Sequence, residues 1–192
     1  KQRFKDSDGA IQCENLQEDI LTKSLSAEIE ETNVPGQVFR CVVHYKNFTA
    51  LHYRIIKTSR EEIRAQRKKW ERDYNVDREQ KFLEYFVTKT PQKTGNFLLP
   101  DDGDYQQHSI EVKLDALPEG EYMVLLSNRP DFSTTTNGLA YTFTTITNLS
   151  YIHRNVQDGG TEFYILHRQT GEPVSGVKAD VFSNTYNYQK NT

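Results

Sequence analysis

The sequence predicts a mainly β protein: an antiparallel β-sandwich with a helical insertion at residues 59–88, followed by a partial second β unit. Three observations support this fold class. Apolar residues recur at every second position in several short runs, as expected for half-buried strands. Turn-forming Pro-Gly and Gly-Gly pairs separate some of these runs. One charged stretch near the middle breaks the alternation and carries helix start signals instead.

The composition limits the kinds of partner that we expect. The 192 residues are enough for a sizeable core and for two domains. A net charge of -3 gives no positive surface overall, so we expect neither nucleic acid nor anionic lipid as a partner. No apolar run approaches the length of a membrane span, and residues 1–23 lack the pattern of a signal peptide, so we expect a chain that is not membrane-spanning.

The first strands follow a polar segment. Residues 1–23 are predicted to be a tail, or the remnant of a preceding module, with at most one helical turn. Apolar residues then alternate over 25–29 and, after a Pro35-Gly36 turn, over 39–45, which predicts two antiparallel strands. Asn47-Phe48-Thr49 is short enough for a hairpin loop, and the alternation at 51–55 predicts a third strand that pairs with the second.

The helical insertion is predicted from two start signals. Ser59 and Glu62 fit a capping box, in which each side chain bonds the backbone of the other residue. Ile63, Trp70 and Tyr74 then share one face of a charged helix. A second start at Asp77 precedes an apolar stripe that consists of Phe82, Leu83, Tyr85 and Phe86.

One of the last strands of the first domain is preceded by an unusual turn. Residues 95–105 are predicted to be a loop, and 110–114 alternate as a strand. The segment Leu117-x-x-Gly120-x-Tyr122 then resembles a tyrosine corner, in which a tyrosine hydroxyl bonds the backbone a few residues upstream. Val124 and Leu126 would face the core with Tyr122, and 139–147 would complete roughly the seven strands of an immunoglobulin-like sandwich at residues 24–147.

A second β unit is predicted to occupy residues 148–192. Its expected strands are 149–154, 163–167 and 177–182, with a Gly159-Gly160 turn between the first two. No linker separates the two units in the sequence, so we expect them to abut as modules of a rod.

These segments together resemble a bacterial alpha-2-macroglobulin family protein over about residues 24–183. "LSAEIEETNVPGQVFRCVVHYKN" is similar to the opening of a macroglobulin-type sandwich, and "DYQQHSIEVKLDALPEGEYMVLLSN" is similar to its later strands. "LSYIHR" and "YILHRQTGEPVSGVKADVF" resemble the start of the next macroglobulin-type module. The combination of these segments is more specific than any one of them.

The resemblance implies protease entrapment in the periplasm or cell envelope, with proteases and neighbouring macroglobulin-type domains as partners. The family's Cys-Gln thioester has no counterpart at Cys13-Glu14-Asn15, so the resemblance assigns this chain a non-catalytic scaffold role. The alternative is an adhesion module, or a carboxypeptidase-regulatory-like module of an outer-membrane transporter, which residues 170–182 also resemble.

We expect no catalytic, cofactor-binding or metal-binding residues, although several residues are of types that can serve such roles. His44 and His52 would lie opposite each other in the predicted hairpin but have no third ligand. Ser59 and Ser109 lack the histidine and acid partners of a catalytic serine. The remaining candidates have simpler interpretations: an acidic turn (Asp101–Asp104), a solvated helix face (Arg64–Lys69 with Trp70), chance glycosylation sequons (Asn47 and Asn148), and small buried residues or free thiols (Cys13 and Cys41).

Overall fold

The structure, a computed structural model, describes residues 7–135 and 138–180. The chain divides into two compact units, Lys1–Thr147 and Asn148–Thr192. The helices and strands of the first unit are α1 (Asp8–Leu21), β1 (Ser24–Ile29), β2 (Thr32–Asn33), β3 (Phe39–Lys46), β4 (Ala50–Thr58), α2 (Arg60–Lys69), α3 (Arg78–Val87), β5 (Lys93–Leu98), β6 (His108–Leu114), β7 (Gly120–Ser127) and β8 (Leu139–Ile146). Those of the second are β9 (Leu149–Asn155) and β10 (Thr161–His167).

Two sheets make up most of the first unit. The front sheet has three antiparallel strands in the order β1-β3-β6. The back sheet has five strands in the order β2-β8-β7-β4-β5, of which only the short β2 pairs in parallel with its neighbour. The chain is therefore mainly β, and the arrangement is consistent with an immunoglobulin-like β-sandwich.

The main hydrophobic core contains side chains from both sheets. It includes the alternating residues of the second and third predicted strands, which confirms their apolar pattern. Its buried members are Phe39, Cys41, Val43, Tyr45, Phe48, Leu51, Tyr53, Ile55, Leu99, Val112, Leu114, Leu117, Tyr122, Val124, Leu126 and Ile146. The predicted antiparallel pairing of 25–29 with 39–45 is also confirmed, since β1 pairs with β3.

A second core covers the other face of the back sheet. Phe82 and Phe86 of α3 pack with Ile56, Met123 and Leu125, which point away from the main core. Both faces of β7 are consequently buried, one by the front sheet and one by the helix layer. This two-sided burial explains why β7 is a nearly continuous apolar run and does not alternate with polar residues.

The entry to β7 is a tyrosine corner, as the sequence predicted. The Tyr122 hydroxyl donates a hydrogen bond to the Pro118 carbonyl oxygen at 3.0 Å. Gly120 lies between them with φ of 152°, a conformation that side-chain-bearing residues rarely adopt. The bond links the backbone before β7 to a fully buried ring within it.

The predicted hairpin at Asn47-Phe48-Thr49 is wrong. These residues connect β3 in the front sheet to β4 in the back sheet, and the two strands do not pair. Asn47 adopts a left-handed conformation with φ of 60°, and Phe48 is buried. Alternating strands joined by a short loop can either pair within one sheet or face each other across a core, and the periodicity does not distinguish the two.

The predicted loop at 95–105 is wrong in its first part, because β5 extends to Leu98 at the edge of the back sheet. Gly95 of β5 lies opposite Tyr53 of β4. The Tyr53 ring occupies the space that a Cβ atom at position 95 would need. Phe97 stacks on the same ring with centroids 5.5 Å apart. This edge strand contains a glycine and mainly exposed residues, so its sequence lacks the apolar alternation that predicts a strand.

Replacing Gly95 with alanine should destabilise the first unit by about 1–3 kcal/mol, the usual cost of overpacking. An ideal Cβ at this position would lie 2.5 Å from Cε1 of Tyr53, whose ring is buried and held by Phe97. Urea denaturation measures this change. The matched control is Gly9→Ala in α1, where no atom lies within 4 Å of the new Cβ and we expect no loss of stability.

Two helices occupy the region in which the sequence predicted them, with Ser59 and Asp77 as their N-caps. The predicted face of Ile63, Trp70 and Tyr74 is only partly correct, because Tyr74 is 87% exposed and Trp70 is half-buried. Residues 8–21 form the helix α1, which is longer than the single turn expected for this segment. No helix in the described ranges is long and apolar enough to cross a membrane.

The second unit contains an antiparallel pair, β9 and β10, joined by a turn at residues 156–160. Gly159 in this turn has φ of 84°, in agreement with the predicted Gly-Gly turn. A single bridge between Leu166 and Pro173 extends the pairing. The predicted strand at 177–182 is wrong for residues 177–180, and the rest of it lies outside the described residues.

Candidate functional site

The exposed face of the front sheet carries a row of polar side chains. Ser26, His44 and Ser109 are cross-strand neighbours on β1, β3 and β6. His44 Nδ1 lies 2.6 Å from Ser109 Oγ, and His44 Nε2 lies 3.6 Å from Glu28 Oε1. The sequence alone does not predict this row, because three strand registers must be known before the residues can be placed together.

Ser109, His44 and the neighbouring Glu28 supply a hydroxyl, an imidazole and a carboxylate, but their geometry does not suit nucleophilic catalysis. The Glu28 side chain is 79% exposed, and its distance from His44 exceeds a good hydrogen bond. Backbone N–H groups of a sheet point along the ladder toward neighbouring strands, so this face offers no pair of donors for an oxyanion. We interpret the row as a surface hydrogen-bond network.

The predicted opposition of His44 and His52 is wrong, because the two residues lie in different sheets. This follows from the failed hairpin prediction. Among the described residues, no group of three or more His, Cys, Asp or Glu side chains is arranged to hold a metal ion.

The acidic segment at 101–104 directs its oxygens inward to its own backbone. Asp101 Oδ1 accepts from the Gly103 amide at 3.0 Å, and Asp104 Oδ1 accepts from the Gln106 amide at 2.9 Å. His108 Nε2 also lies 2.9 Å from Asp104 Oδ1. The Gln106 amide and then His108 lower the pKa of Asp104. These contacts are typical of an acidic turn.

The cysteines do not form a disulfide bond with each other, and both thiols are free. Cys41 is fully buried in the main core, and burial raises its pKa to about 11. A thiol with this pKa is a poor nucleophile at neutral pH. Cys13 is exposed on α1.

A polar tether joins α2, α3 and the back sheet around Glu62. Its carboxylate accepts hydrogen bonds from Lys89 Nζ at 2.7 Å, from the Tyr85 hydroxyl at 2.6 Å and from Thr58 Oγ1 at 2.9 Å. Burial raises the pKa of Glu62, but the hydrogen bonds, first that from Lys89, outweigh it, and the pKa is lowered overall. The predicted capping box is thus half formed: Ser59 Oγ accepts from the Glu62 amide, but the Glu62 carboxylate belongs to the tether.

Replacing Glu62 with glutamine should lower the free energy of unfolding by about 1–3 kcal/mol near neutral pH, because a charged acceptor of several hydrogen bonds is lost. A lowered folded-state pKa stabilises the fold above the ordinary value of 4.5, and this stabilisation is lost as the pH falls through the folded-state pKa. The difference between the two proteins should therefore vanish in acid. Urea denaturation across this pH range measures it.

The control for this substitution is Glu84→Gln, which breaks a half-exposed ion pair with Lys81. Exposed pairs contribute less than about 1 kcal/mol, so this variant should remain close to the parent. An equal loss in both variants would contradict a special role for the tether.

Four cationic side chains line a surface cleft between α2 and α3 that has a volume of about 550 Å³. We call it the helix cleft, and it is lined by Arg64, Arg67, Lys68, Glu71, Arg78, Glu79 and Phe82. Arg67 Nη2 donates to the Tyr141 hydroxyl at 3.1 Å. Burial, and then a hydrogen bond to Glu79, raises the pKa of Tyr141 to about 12, so the hydroxyl stays protonated.

Comparison with known proteins finds no family model that matches the chain and no curated protein similar to it. Weak structural similarity exists to the CARDB domain of the PF1109 protein from Pyrococcus furiosus, described as a complex with di-metal ions, at 10% identity and a TM-score of 0.34. That match covers 65% of this chain and 92% of the other.

A second solved structure with weak similarity is the superoxide reductase (neelaredoxin) from Ignicoccus hospitalis, at 12% identity and a TM-score of 0.32. The match covers 70% of this chain and 86% of the superoxide reductase chain. At these scores, neither similarity says anything about the function of this chain.

Proposed function

We propose that this chain is a non-catalytic scaffold segment of an alpha-2-macroglobulin-like protease-trapping protein that acts in the periplasm or cell envelope. In this proposal the first unit is a macroglobulin-type sandwich, α2 and α3 are an insertion into it, and the second unit begins the next module.

The observation that carries the proposal is the burial of β7 on both faces. Tyr122, Val124 and Leu126 fill the space between the sheets, while Met123 and Leu125 fill the space under the helices. The interior of the first unit is thus occupied by apolar side chains. The polar clusters around His44 and Glu62 lie at the surface or link neighbouring elements, and neither occupies the space between the sheets.

The second unit is consistent with a module that needs further strands. Tyr151 and Ile152 of β9 and Phe163 and Tyr164 of β10 are exposed and occupy both faces of the pair. A two-stranded ribbon is marginally stable by itself in water, so apolar residues on both faces favour packing within a larger sheet.

Inhibition assays test this proposal. The longer protein that contains this segment should block casein hydrolysis by a protease yet spare hydrolysis of a small amide substrate, because entrapment excludes only large substrates. The isolated chain should affect neither reaction. Saturable inhibition by the isolated chain, or equal inhibition of both substrates by the longer protein, would contradict the scaffold role.

A further inference from the structure

We propose that the helix cleft binds an acidic, extended segment of a partner protein. This role goes beyond the scaffold function, since spacing between modules requires no ligand in the cleft. Four features of the cleft support the proposal: its charge, the engagement of the nearby acidic residues, its aromatic floor and its length.

The charge comes from two helices. Arg67 and Lys68 follow Arg64 on α2 by three and four residues, so the three side chains share one face of the helix. Arg78 at the start of α3 adds a fourth cation. Among the described residues, no ion pair within 4 Å involves Arg64, Lys68 or Arg78. These cations are exposed and available to an anionic ligand.

The acidic residues near the basic run neutralise it only in part. The sequence places Glu61 and Glu62 beside the run, but the Glu62 carboxylate is held in the tether with Lys89 and Tyr85. Glu61 is not among the residues that line the cleft; backbone and Ser59 hydrogen bonds, and then Arg64, lower its pKa. Glu71 and Glu79 are the two carboxylates that line the cleft. Four cations against two carboxylates leave the cleft positive although the whole chain has a net charge of -3.

The floor of the cleft is aromatic and holds one of the cations in position. Phe82 is 2% exposed, and the Arg67 guanidinium lies 4.9 Å from the centroid of its ring. The hydrogen bond to Tyr141 orients the same guanidinium. A cation held in this way loses little conformational entropy when it binds a carboxylate.

The length of the cationic face favours a peptide over a single small anion. Arg64 and Lys68 are separated by about 6 Å along α2, from the rise per residue of a helix. An extended chain with a carboxylate at every second residue repeats at about 6–7 Å and can therefore meet both cations. The residues between its carboxylates would point away from the cleft, because successive side chains of an extended chain lie on opposite sides.

Fluorescence anisotropy with a labelled peptide of alternating glutamate and leucine tests the proposal. The double variant Arg64→Glu with Lys68→Glu should weaken binding by about tenfold or more, since it places like charges against the peptide. The matched control is Lys93→Glu with Lys113→Glu, which makes the same change in net charge at exposed positions outside the cleft. Control binding should change less than about twofold at moderate salt, where distant charges are screened.

Circular dichroism establishes that both variants retain the fold. Unchanged affinity in the cleft variant, or equal weakening in both variants, would overturn the proposal. Displacement of the peptide by inorganic phosphate at the same concentration would also overturn it, because that result indicates a simple anion site. None of these results bears on the inhibition assays, so the scaffold proposal is tested separately.

Discussion

Replacing Phe86 with alanine should lower the free energy of unfolding by about 3–5 kcal/mol, the range for truncating a buried aromatic side chain. Phe86 is fully buried between α3 and the back sheet. Its ring lies 4.9 Å from that of Phe82 and 5.1 Å from that of Tyr85, measured between centroids. The substitution leaves a cavity under the helix layer that these rigid neighbours cannot fill.

Chemical denaturation followed by far-ultraviolet circular dichroism measures this loss. The control is Tyr74→Ala, since Tyr74 lies between the same two helices but is 87% exposed. That change should stay within about 0.5 kcal/mol of the parent protein, as is usual for surface positions. A small effect of the Phe86 substitution would contradict the packing of α3 on the back sheet.

Replacing Tyr122 with alanine should have a comparable effect, of about 3–5 kcal/mol, because a fully buried aromatic ring is removed from the main core. Tyr122→Phe isolates the contribution of the hydroxyl. It should cost about 1–2 kcal/mol, because the Pro118 carbonyl loses a hydrogen bond of 3.0 Å while the ring remains.

The same denaturation experiment separates the two contributions. If the corner fixes the entry to β7, the phenylalanine variant should also show faster exchange of the amides near Gly120. A phenylalanine variant as stable as the parent would contradict a structural role for the corner. Since the alanine variant removes the ring together with the hydroxyl, the difference in stability between the two variants gives the contribution of packing.

Local patterns in the sequence were enough to predict most strands and both helix starts. The alternation over β1, β3 and β6 appears in the structure as side chains pointing into the main core. Ser59 and Asp77 accept hydrogen bonds from the backbone amides of α2 and α3, as N-caps do. The corner at Tyr122 could also be predicted, because its glycine and tyrosine occur at a fixed spacing.

The errors arose where the outcome depends on how strands are arranged in space. The loop at Asn47 changes sheets, and periodicity alone is equally compatible with a hairpin. β5 was not predicted because its glycine, Gly95, makes room for the ring of Tyr53 on another strand. Each error concerns a relation between distant residues, which local propensity does not encode.

The surface clusters were the least predictable features for the same reason. The network of Glu28, His44 and Ser109 needs the register of three strands. In the sequence, glutamates surround the basic run on α2. In the structure, however, the Glu62 carboxylate bonds Tyr85 of α3, and the cations line the helix cleft. The charge of a surface therefore follows from side-chain partners and cannot be obtained from composition.

Native-state hydrogen exchange is the most direct test of the central claim, that β7 is covered on one face by the front sheet and on the other by the helix layer. The amides of residues 122–126 should exchange only through global unfolding and be among the slowest in the chain. Those of β9, whose side chains are largely exposed, should exchange much faster. Exchange of the β7 amides as fast as that of β9 would contradict the account.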